Sequence, residues 1–240
     1  METNYFLDRL KRKTIITGHY GSGKTEFAIS LALLSAEHYK NSNRLPDTLS
    51  IIDLDIVNPY FRSREKRELL GQSGISVYGS VYEKEIAAEL PALGATIRTP
   101  LEDKTCKVII DAGGNDTGAL ILNQFSKYFI ENDTTVLAII NANRPDTSDI
   151  DKIINHITAI EKISNLTVSF IVNNTHMLRE TSSSDIMHGY KLCNEVSNII
   201  KKPILCSCYP EGIINKDELT AIKENLMPIG LYMRPTWLDK

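Results

Sequence analysis

The sequence predicts a doubly wound α/β domain in which helices flank a mostly parallel sheet of about seven strands. Short apolar runs rich in β-branched residues alternate along the chain with longer segments whose apolar residues recur at helical spacing. Several of the short runs are apolar on both faces, which is typical of parallel strands covered by helices on two sides. With 240 residues, 42% of them hydrophobic, the chain suits one three-layer domain with a sizeable core over residues 1–240.

The elements follow one another in a regular order. The first run, KTIIT, is β-branched, and the segment TEFAISLALLSAEHY after it has apolar residues at helical spacing. The same alternation predicts strands over 13–17, 49–55, 75–79, 107–112, 134–140, 167–173 and 203–208. It predicts helices over 25–39, 62–73, 83–90, 117–130, 147–163 and 183–200. The last stretch, 227–240, contains two prolines and is predicted to be an irregular tail packed on the body.

Composition and charge exclude several classes of protein. The net charge of −3 gives no global basic field, so there is no strong nucleic-acid signal. No apolar run approaches the roughly 20 residues of a membrane helix, and the N-terminus lacks the pattern of a secretory signal. Four cysteines in a chain of this length do not make a disulfide framework. We therefore expect a cytoplasmic protein with no membrane partner.

A glycine-rich stretch lies between the first strand and the first helix. Residues 18–25, GHYGSGKT, satisfy the phosphate-loop pattern G-x-x-x-x-G-K-[ST], also called Walker A, in the strand-to-helix context that the pattern requires. Glycines let the backbone amides face a phosphate, and the positive end of the helix dipole is aimed at the same place. Lys24 would reach the β- and γ-phosphates, and the Thr25 hydroxyl would bind Mg²⁺. The expected nucleotide-binding residues of this stretch are Gly21, Ser22, Gly23, Lys24, Thr25 and Glu26.

Two further strands end in aspartates. KVIID ends at Asp111, which is a candidate second Mg²⁺ ligand, and Gly114 just after it could offer its N–H to a γ-phosphate. LSIIDLD places Asp53 and Asp55 two residues apart, on the same side of an extended chain. We interpret Asp55 as the residue that positions an attacking water and also lies at the metal, with Asp53 as its companion. In the alternative interpretation, these aspartates cap the turns that follow the two strands.

The phosphate loop, the strand ending in D-x-D and the hhhD-x-G-G pattern together resemble the MinD/ParA and nitrogenase-iron-protein class of ATPases. That class also includes nickel-insertion ATPases of carbon-monoxide dehydrogenase, CobQ/CobB enzymes and dethiobiotin synthetase. The resemblance spans roughly 13–212 and implies nucleotide-responsive segments at about 53–64 and 111–118. It also implies adenine contacts from Asn173, at the end of a strand, and from Pro210, in a loop after the last strand.

One position departs from the family pattern. Many members have a lysine near the start of the loop that reaches across a dimer to the partner's nucleotide, and this chain has His19 there. The resemblance therefore does not imply hydrolysis activated by a homodimer, and a homodimer stays one of the alternatives. A guanine-binding N-K-x-D signature is also missing, because Asn174 follows Asn173, and this favours ATP over GTP.

These observations predict a Mg²⁺-dependent ATP-binding protein and slow ATPase, with Lys24 and Asp55 as catalytic residues. Its ATP or ADP state would be detected by an unidentified client protein or a second subunit. An ATP-dependent ligase or small-molecule kinase is one alternative, with Arg62, Arg64 or Arg144 holding a small substrate. A module that binds nucleotide without hydrolysing it is another. Cys206 and Cys208 are expected to pack in the core, with a metal site as the alternative.

Overall fold

Eight strands form a single sheet in the computed structural model, which describes residues 6–42, 48–55, 66–79 and 96–233. Every neighbouring pair in this sheet is parallel. The strands are β1 (Lys13–Thr17), β2 (Thr48–Leu54), β3 (Ile75–Tyr78), β4 (Cys106–Ala112), β5 (Thr134–Ile140), β6 (Phe170–Asn173), β7 (Ile204–Pro210) and β8 (Asn225–Ile229). The seven predicted strands are thus confirmed, and the sheet contains one strand more than predicted, β8.

Helices cover both faces of the sheet. They are α1 (Lys24–Ser42), α2 (Arg67–Gln72), α3 (96–102), α4 (Asp116–Gln124), α5 (Ile150–Ser164) and α6 (Ser183–Ile200). The helix predicted over 117–130 is shorter than expected, since a 3-10 turn at Ser126–Tyr128 follows α4. Helix α3 was not predicted, and the helix predicted over 83–90 lies outside the described residues.

The prediction of an irregular tail was wrong for its first residues, which form β8. Pro228 lies inside this strand, opposite Tyr209 of β7. Proline cannot donate to a strand ladder, so it is tolerated at the edge of a sheet and not in the middle. β8 is the last strand in the order β3-β2-β4-β1-β5-β6-β7-β8, with β7 as its one neighbour among the described strands, which explains why Pro228 fits.

Neighbouring residues of one strand pack on opposite faces of the sheet, and β1 shows this. Ile16 packs on the side that α1 covers, together with Phe27 and Leu31, whereas Ile15 packs on the opposite side with Ile121 and Ile153. Because successive side chains of a strand point to opposite faces, a run such as KTIIT must be apolar at consecutive positions to be buried on both. The predicted three-layer arrangement follows from this pattern.

Local capping fixes where the helices on the second face begin. The Asp149 side chain accepts a hydrogen bond from the Lys152 amide at the start of α5. At the start of α6, Ser182 and Asp185 form a reciprocal capping box. These caps lie just beyond the strands β5 and β6, so they fix the loops at the same edge of the sheet as the phosphate loop.

The strand order also determines where a ligand can bind. β1 lies between β4 and β5, so the chain leaves β1 toward β2 on one side and later crosses to β5 on the other. In open α/β sheets such a switch point leaves a crevice at the carboxyl ends of the strands. The glycine-rich loop directly after β1 lies at this crevice.

Candidate functional site

The loop from Gly18 to Thr25 joins the end of β1 to the first turn of α1. Gly21 and Gly23 have φ angles of 75° and 80°, in the left-handed region that glycine adopts without strain. A Cβ on Gly23 would lie 2.5 Å from the Asn174 amide nitrogen and 2.8 Å from His176 Nε2. The loop therefore needs glycine at this position for both its backbone conformation and its packing.

Side chains from other elements hold the carbonyl groups of this loop. Asn174 Nδ2, just after β6, donates to the Ser22 carbonyl at 2.8 Å, and Arg144 Nε, after β5, donates to the Gly21 carbonyl at 3.0 Å. Lys24 Nζ donates to the His19 carbonyl at 3.3 Å. The loop is thereby fixed in one conformation before any ligand binds, and such preorganisation lowers the entropy lost on binding.

A cavity of about 560 Å³ opens over the loop. Seven of the predicted site residues line it, namely Gly21, Gly23, Lys24, Thr25, Glu26, Asp55 and Pro210. Four others do not, namely Ser22, Asp111, Gly114 and Asn173, of which Ser22, Asp111 and Asn173 are fully buried. The residues that line the cavity lie in, or just after, β2, β1, β5, β6, β7 and β8, in that spatial order across the sheet.

An acidic cluster lies beneath the loop, at the ends of β2 and β4. Asp53 and Asp111 are direct neighbours across these two strands. Burial, together with the charges of Asp53 and Asp55, raises the pKa of Asp111 to about 8, against the opposing effect of Lys24. Burial likewise lowers the pKa of Lys24, while Asp55 and Asp111 oppose that shift. A cation placed here would relieve the repulsion between the carboxylates.

The acidic cluster fits a magnesium ion that is held jointly with phosphate. No described group makes a well-formed hydrogen bond to either carboxylate oxygen of Asp111, although the Thr25 hydroxyl interacts with this carboxylate and lowers its pKa. Among the described residues, no three His, Cys, Asp or Glu side chains are grouped so as to hold a metal by themselves. Mg²⁺ usually takes one or two carboxylates together with substrate phosphates and water. Thr25, Asp55 and Asp111 suit that mode of binding.

The turn after β4 packs tightly on the phosphate loop. A Cβ on Gly114 would lie 1.4 Å from the Gly18 carbonyl oxygen, so only a glycine fits there. A Cβ on Gly113 would lie 3.3 Å from Asp55 Oδ1. The residues between β4 and α4 thus contact both the start of the loop and the aspartate at the end of β2.

The structure gives Asn173 contacts that differ from the expected contact with a base. Its Nδ2 donates to the Ile186 carbonyl and to Ser207 Oγ, and its Oδ1 accepts from the Thr175 amide. With its amide used in this way, Asn173 ties β6 to β7 and α6. The next residue, Asn174, faces the cavity instead, because side chains alternate along an extended chain.

Several residues that line the cavity were not among the predicted site residues. His176 lies over Gly23, and burial followed by the nearby Arg144 guanidinium lowers the pKa of His176 to about 4. Its Nδ1 accepts a hydrogen bond from the Leu178 amide, so the proton of the neutral ring is on Nε2. The position of His176 just after β6 makes it a candidate ligand contact from the sequence, with a solvated loop residue as the alternative, and the same signal could have indicated Asn174.

An apolar wall, formed by Cys208, Pro210, Ile229, Leu231 and Met233, closes the far side of the cavity. β7, β8 and the residues after β8 supply it. Sequence reasoning missed most of this wall because it took the residues from 227 onward for an irregular tail. Such a surface suits the flat face of a nucleobase.

The cysteine pair on β7 belongs to the core. Cys206 and Cys208 pack in the same apolar cluster, on the face that α1 covers, as the alternation of the strand predicts. Burial raises the pKa of Cys208 well above its usual value, so this thiol stays protonated. The expected role in core packing is confirmed. Arg62 and Arg64 lie outside the described residues.

No family model matches the sequence, and no curated protein matches it significantly. Solved structures with a similar fold include FtsY from Mycoplasma mycoides, with 16% identity and a TM-score of 0.52 over 80% of this chain and 58% of that chain. The cell division protein FtsY from Thermotoga maritima gives the same identity and TM-score over 80% and 59%. The signal recognition particle receptor FtsY from Elizabethkingia anophelis gives 13% identity and a TM-score of 0.50 over 92% and 70%.

The chain has the P-loop NTPase fold. It spans about three fifths of the length of the first two FtsY chains, and at these identities the likeness concerns the fold alone. These neighbours are FtsY proteins, so the finer resemblance to MinD/ParA and CobQ proteins stays a prediction. None of the described helices has the length and apolar character needed to cross a membrane.

Proposed function

We propose that this protein binds ATP with Mg²⁺ and hydrolyses it slowly, changing shape with the state of its nucleotide. The observation on which the proposal rests is the placement of Lys24, Thr25 and Asp55 around one cavity, with Asp111 buried beneath them. A lysine, a hydroxyl and carboxylates at the carboxyl ends of parallel strands are the groups that phosphoryl transfer uses. ATP, ADP and Mg²⁺ are thus the proposed ligands.

Each residue has a role that follows from its position. Lys24 would bind the β- and γ-phosphate oxygens, and its nearness to Asp55 and Asp111 favours its charged form against the effect of burial. Thr25 and Asp111 would hold the magnesium ion, which when bound neutralises charge on the phosphate oxygens. Asp55, at the wall of the cavity, would orient the attacking water.

The nucleobase would lie against the apolar wall, with Pro210 as one contact. We propose adenine over guanine because Asn174 occupies the place of the lysine in a guanine signature. The Asn174 amide is used on the Ser22 carbonyl, which supports a role in shaping the loop rather than in contacting the base. The turn at Gly114 would transmit the presence or absence of the γ-phosphate to a client protein or a second subunit.

Calorimetric titration of the full chain with Mg²⁺ and either ATP or GTP tests the proposal. The Lys24→Ala variant should bind ATP about a hundredfold more weakly, because it loses a buried cation at the phosphates. Lys191→Ala, which changes an exposed lysine of α6, is the matched control and should bind like the wild type. Equal affinity of the Lys24→Ala variant and the wild type would refute the phosphate-loop assignment, and tighter binding of GTP would refute the choice of adenine.

Release of phosphate in the same preparations separates binding from turnover. Asp55→Asn should bind ATP but release phosphate about a hundredfold more slowly, since the amide orients water without the negative charge. Normal turnover by this variant would remove Asp55 from the mechanism. Binding by the wild type with no release over hours would instead favour a module that does not hydrolyse nucleotide.

A further inference from the structure

Three of the five residues of the apolar wall come from the last part of the chain that the structure describes. Ile229 ends β8, and Leu231 and Met233 belong to the segment after it, residues 230–233, which we call the strap. The strap is neither helix nor strand. No strand ladder therefore holds it in place, and its position depends on contacts with another element.

Helix α1 supplies those contacts through two side chains. Both carboxylate oxygens of Glu26, in the first turn of α1, accept a hydrogen bond from the Met233 amide at 2.9 Å. One turn further along the helix, Ser30 Oγ accepts from the Gly230 amide at 3.2 Å. The first and the last amide of the strap are thus both bound to the helix that begins at the phosphate loop.

The strap is also folded on itself and packed on the core. A Cβ on Gly230 would lie 2.4 Å from Cε2 of the Tyr232 ring, so this ring covers the Gly230 backbone. Met233 is buried in the apolar cluster on the face of the sheet that α1 covers, and Tyr232 packs against the same cluster. Met233 thereby belongs to the core and to the cavity wall at once.

The position of Glu26 needs an explanation other than phosphate binding. Glu26 directly follows Lys24 and Thr25 and lines the same cavity. A carboxylate close to phosphate groups repels them, so the charge of Glu26 by itself would weaken the binding of a triphosphate. A hydrogen bond from an amide to a charged acceptor is among the stronger ones in proteins. The contact with Met233 therefore gives Glu26 a function at this place.

We propose that Glu26 is a positioning residue for the nucleobase: it holds the strap at the cavity, where Leu231 and Met233 contact the base, and does not contact the nucleotide itself. This inference rests on the proposed nucleotide-binding function and deepens it. The expected place of Glu26 among the nucleotide-binding residues then comes from this indirect role. Helix α1 joins the two parts of the site, because Thr25 belongs to the metal site and the next residue orders the wall.

Calorimetric titration of the full chain with Mg²⁺-ATP and with Mg²⁺-tripolyphosphate, which has the phosphates without the base, separates the two parts of the site. Glu26→Ala should bind ATP about tenfold more weakly and tripolyphosphate at least as tightly as the wild type, since only the wall is disturbed. Glu26→Gln keeps an oxygen acceptor for the Met233 amide and should bind ATP within about threefold of the wild type. Glu37→Ala, which changes an exposed glutamate of α1, is the matched control.

Removal of the donor tests whether Glu26 acts through Met233. Met233→Pro lacks the amide hydrogen, whereas Met233→Ala loses the same side chain and keeps that hydrogen. Met233→Pro should bind ATP about tenfold more weakly than Met233→Ala, and adding Glu26→Ala to Met233→Pro should cause little further loss. Losses that add in full would overturn the inference, because Glu26 would then act on the nucleotide without the strap.

Two further outcomes would overturn the inference. Equal losses of affinity for ATP and tripolyphosphate in Glu26→Ala would mean that Glu26 supports the phosphate loop instead of the wall. Unchanged affinity of this variant for ATP would mean that the wall does not depend on Glu26. A wild-type chain that binds neither ATP nor tripolyphosphate would instead refute the proposed function itself, so the two failures are distinguishable.

Discussion

The atoms around a glycine determine whether another residue can replace it, and two glycines of this chain differ in this respect. Gly114 packs against the phosphate loop, where a Cβ would meet the Gly18 carbonyl oxygen at 1.4 Å. Around Gly71, in helix α2, no described atom outside its own turn of helix lies within 4 Å of the place where a Cβ would be. The same residue type is therefore required at one position and replaceable at the other.

This contrast predicts opposite effects of the same substitution. Gly114→Ala should lower the free energy of unfolding by about 2–4 kcal/mol, because a backbone carbonyl must move to admit the methyl group. Gly71→Ala should leave it unchanged or raise it by up to about 1 kcal/mol, since alanine is the better helix former. Urea unfolding of both variants measures the two values. A Gly114→Ala protein as stable as the wild type would contradict the close approach.

At the scale of elements, helix α5 meets the phosphate loop through a pair of histidines. The ring of His156, on α5, lies edge-on to that of His19, with 5.3 Å between the ring centroids. His156 Nε2 is buried without a hydrogen-bond partner in the described part of the chain. Burial, with smaller contributions from His19 and Lys24, lowers the pKa of His156 to about 4.

The lowered pKa of His156 predicts a loss of stability in acid. Between pH 6.5 and about 4 the unfolded chain takes up a proton at His156 that the folded chain does not, so stability falls with pH by at most about 3 kcal/mol. His156→Leu should reduce that fall, because it removes the group. The measurement is the unfolding free energy at pH 7 and pH 5, with His188→Leu, an exposed histidine of α6, as the control. An equal fall in both variants would exclude His156 as the cause.

At the scale of the whole molecule, the helices that the structure describes pack on the two faces of a single sheet. The two large apolar clusters pack on opposite faces of this sheet, and the loop that would bind phosphate follows its central strand β1. Strands from both halves of the sheet supply residues to the cavity, from Asp55 after β2 to Ile229 of β8. A ligand in this cavity would therefore stabilise the sheet as a unit.

We expect one cooperative thermal transition for residues 1–240, and we expect nucleotide to raise its midpoint. At a free concentration of Mg²⁺-ATP one hundred times the dissociation constant, the gain is about 2.7 kcal/mol. Calorimetry and circular dichroism should give the same midpoint, and the Lys24→Ala variant, with its roughly hundredfold weaker affinity, should gain only about 0.4 kcal/mol at that concentration. Two separated transitions would contradict the prediction of a single domain.

Site residues could be predicted from the sequence where their interactions are with near neighbours in the chain. They could not be predicted where the interactions join distant segments. The phosphate loop was predicted because glycine, lysine and threonine at fixed spacing describe one continuous turn, and Asp55 was predicted because it ends a strand. The structure places Lys24, Thr25 and Asp55 at one cavity, and their roles stay predictions. The resemblance to MinD/ParA ATPases implied a base contact for Asn173, yet its side chain is used on Ser207 and the Ile186 carbonyl. Hydrogen bonds between elements distant in the sequence decide such a case.

The sequence by itself determined the alternation of strands and helices, the three layers and the place of the phosphate loop. These follow from apolar periodicity and from chemistry within a few neighbouring residues. Only the tertiary structure decided that Pro228 lies in an edge strand, and that Asn174 and Arg144 hold the carbonyls of the loop. The physical reason is that the order of strands in a sheet results from packing between distant segments. The periodicity within one segment specifies which face of a strand is buried, and does not specify which strand lies beside it.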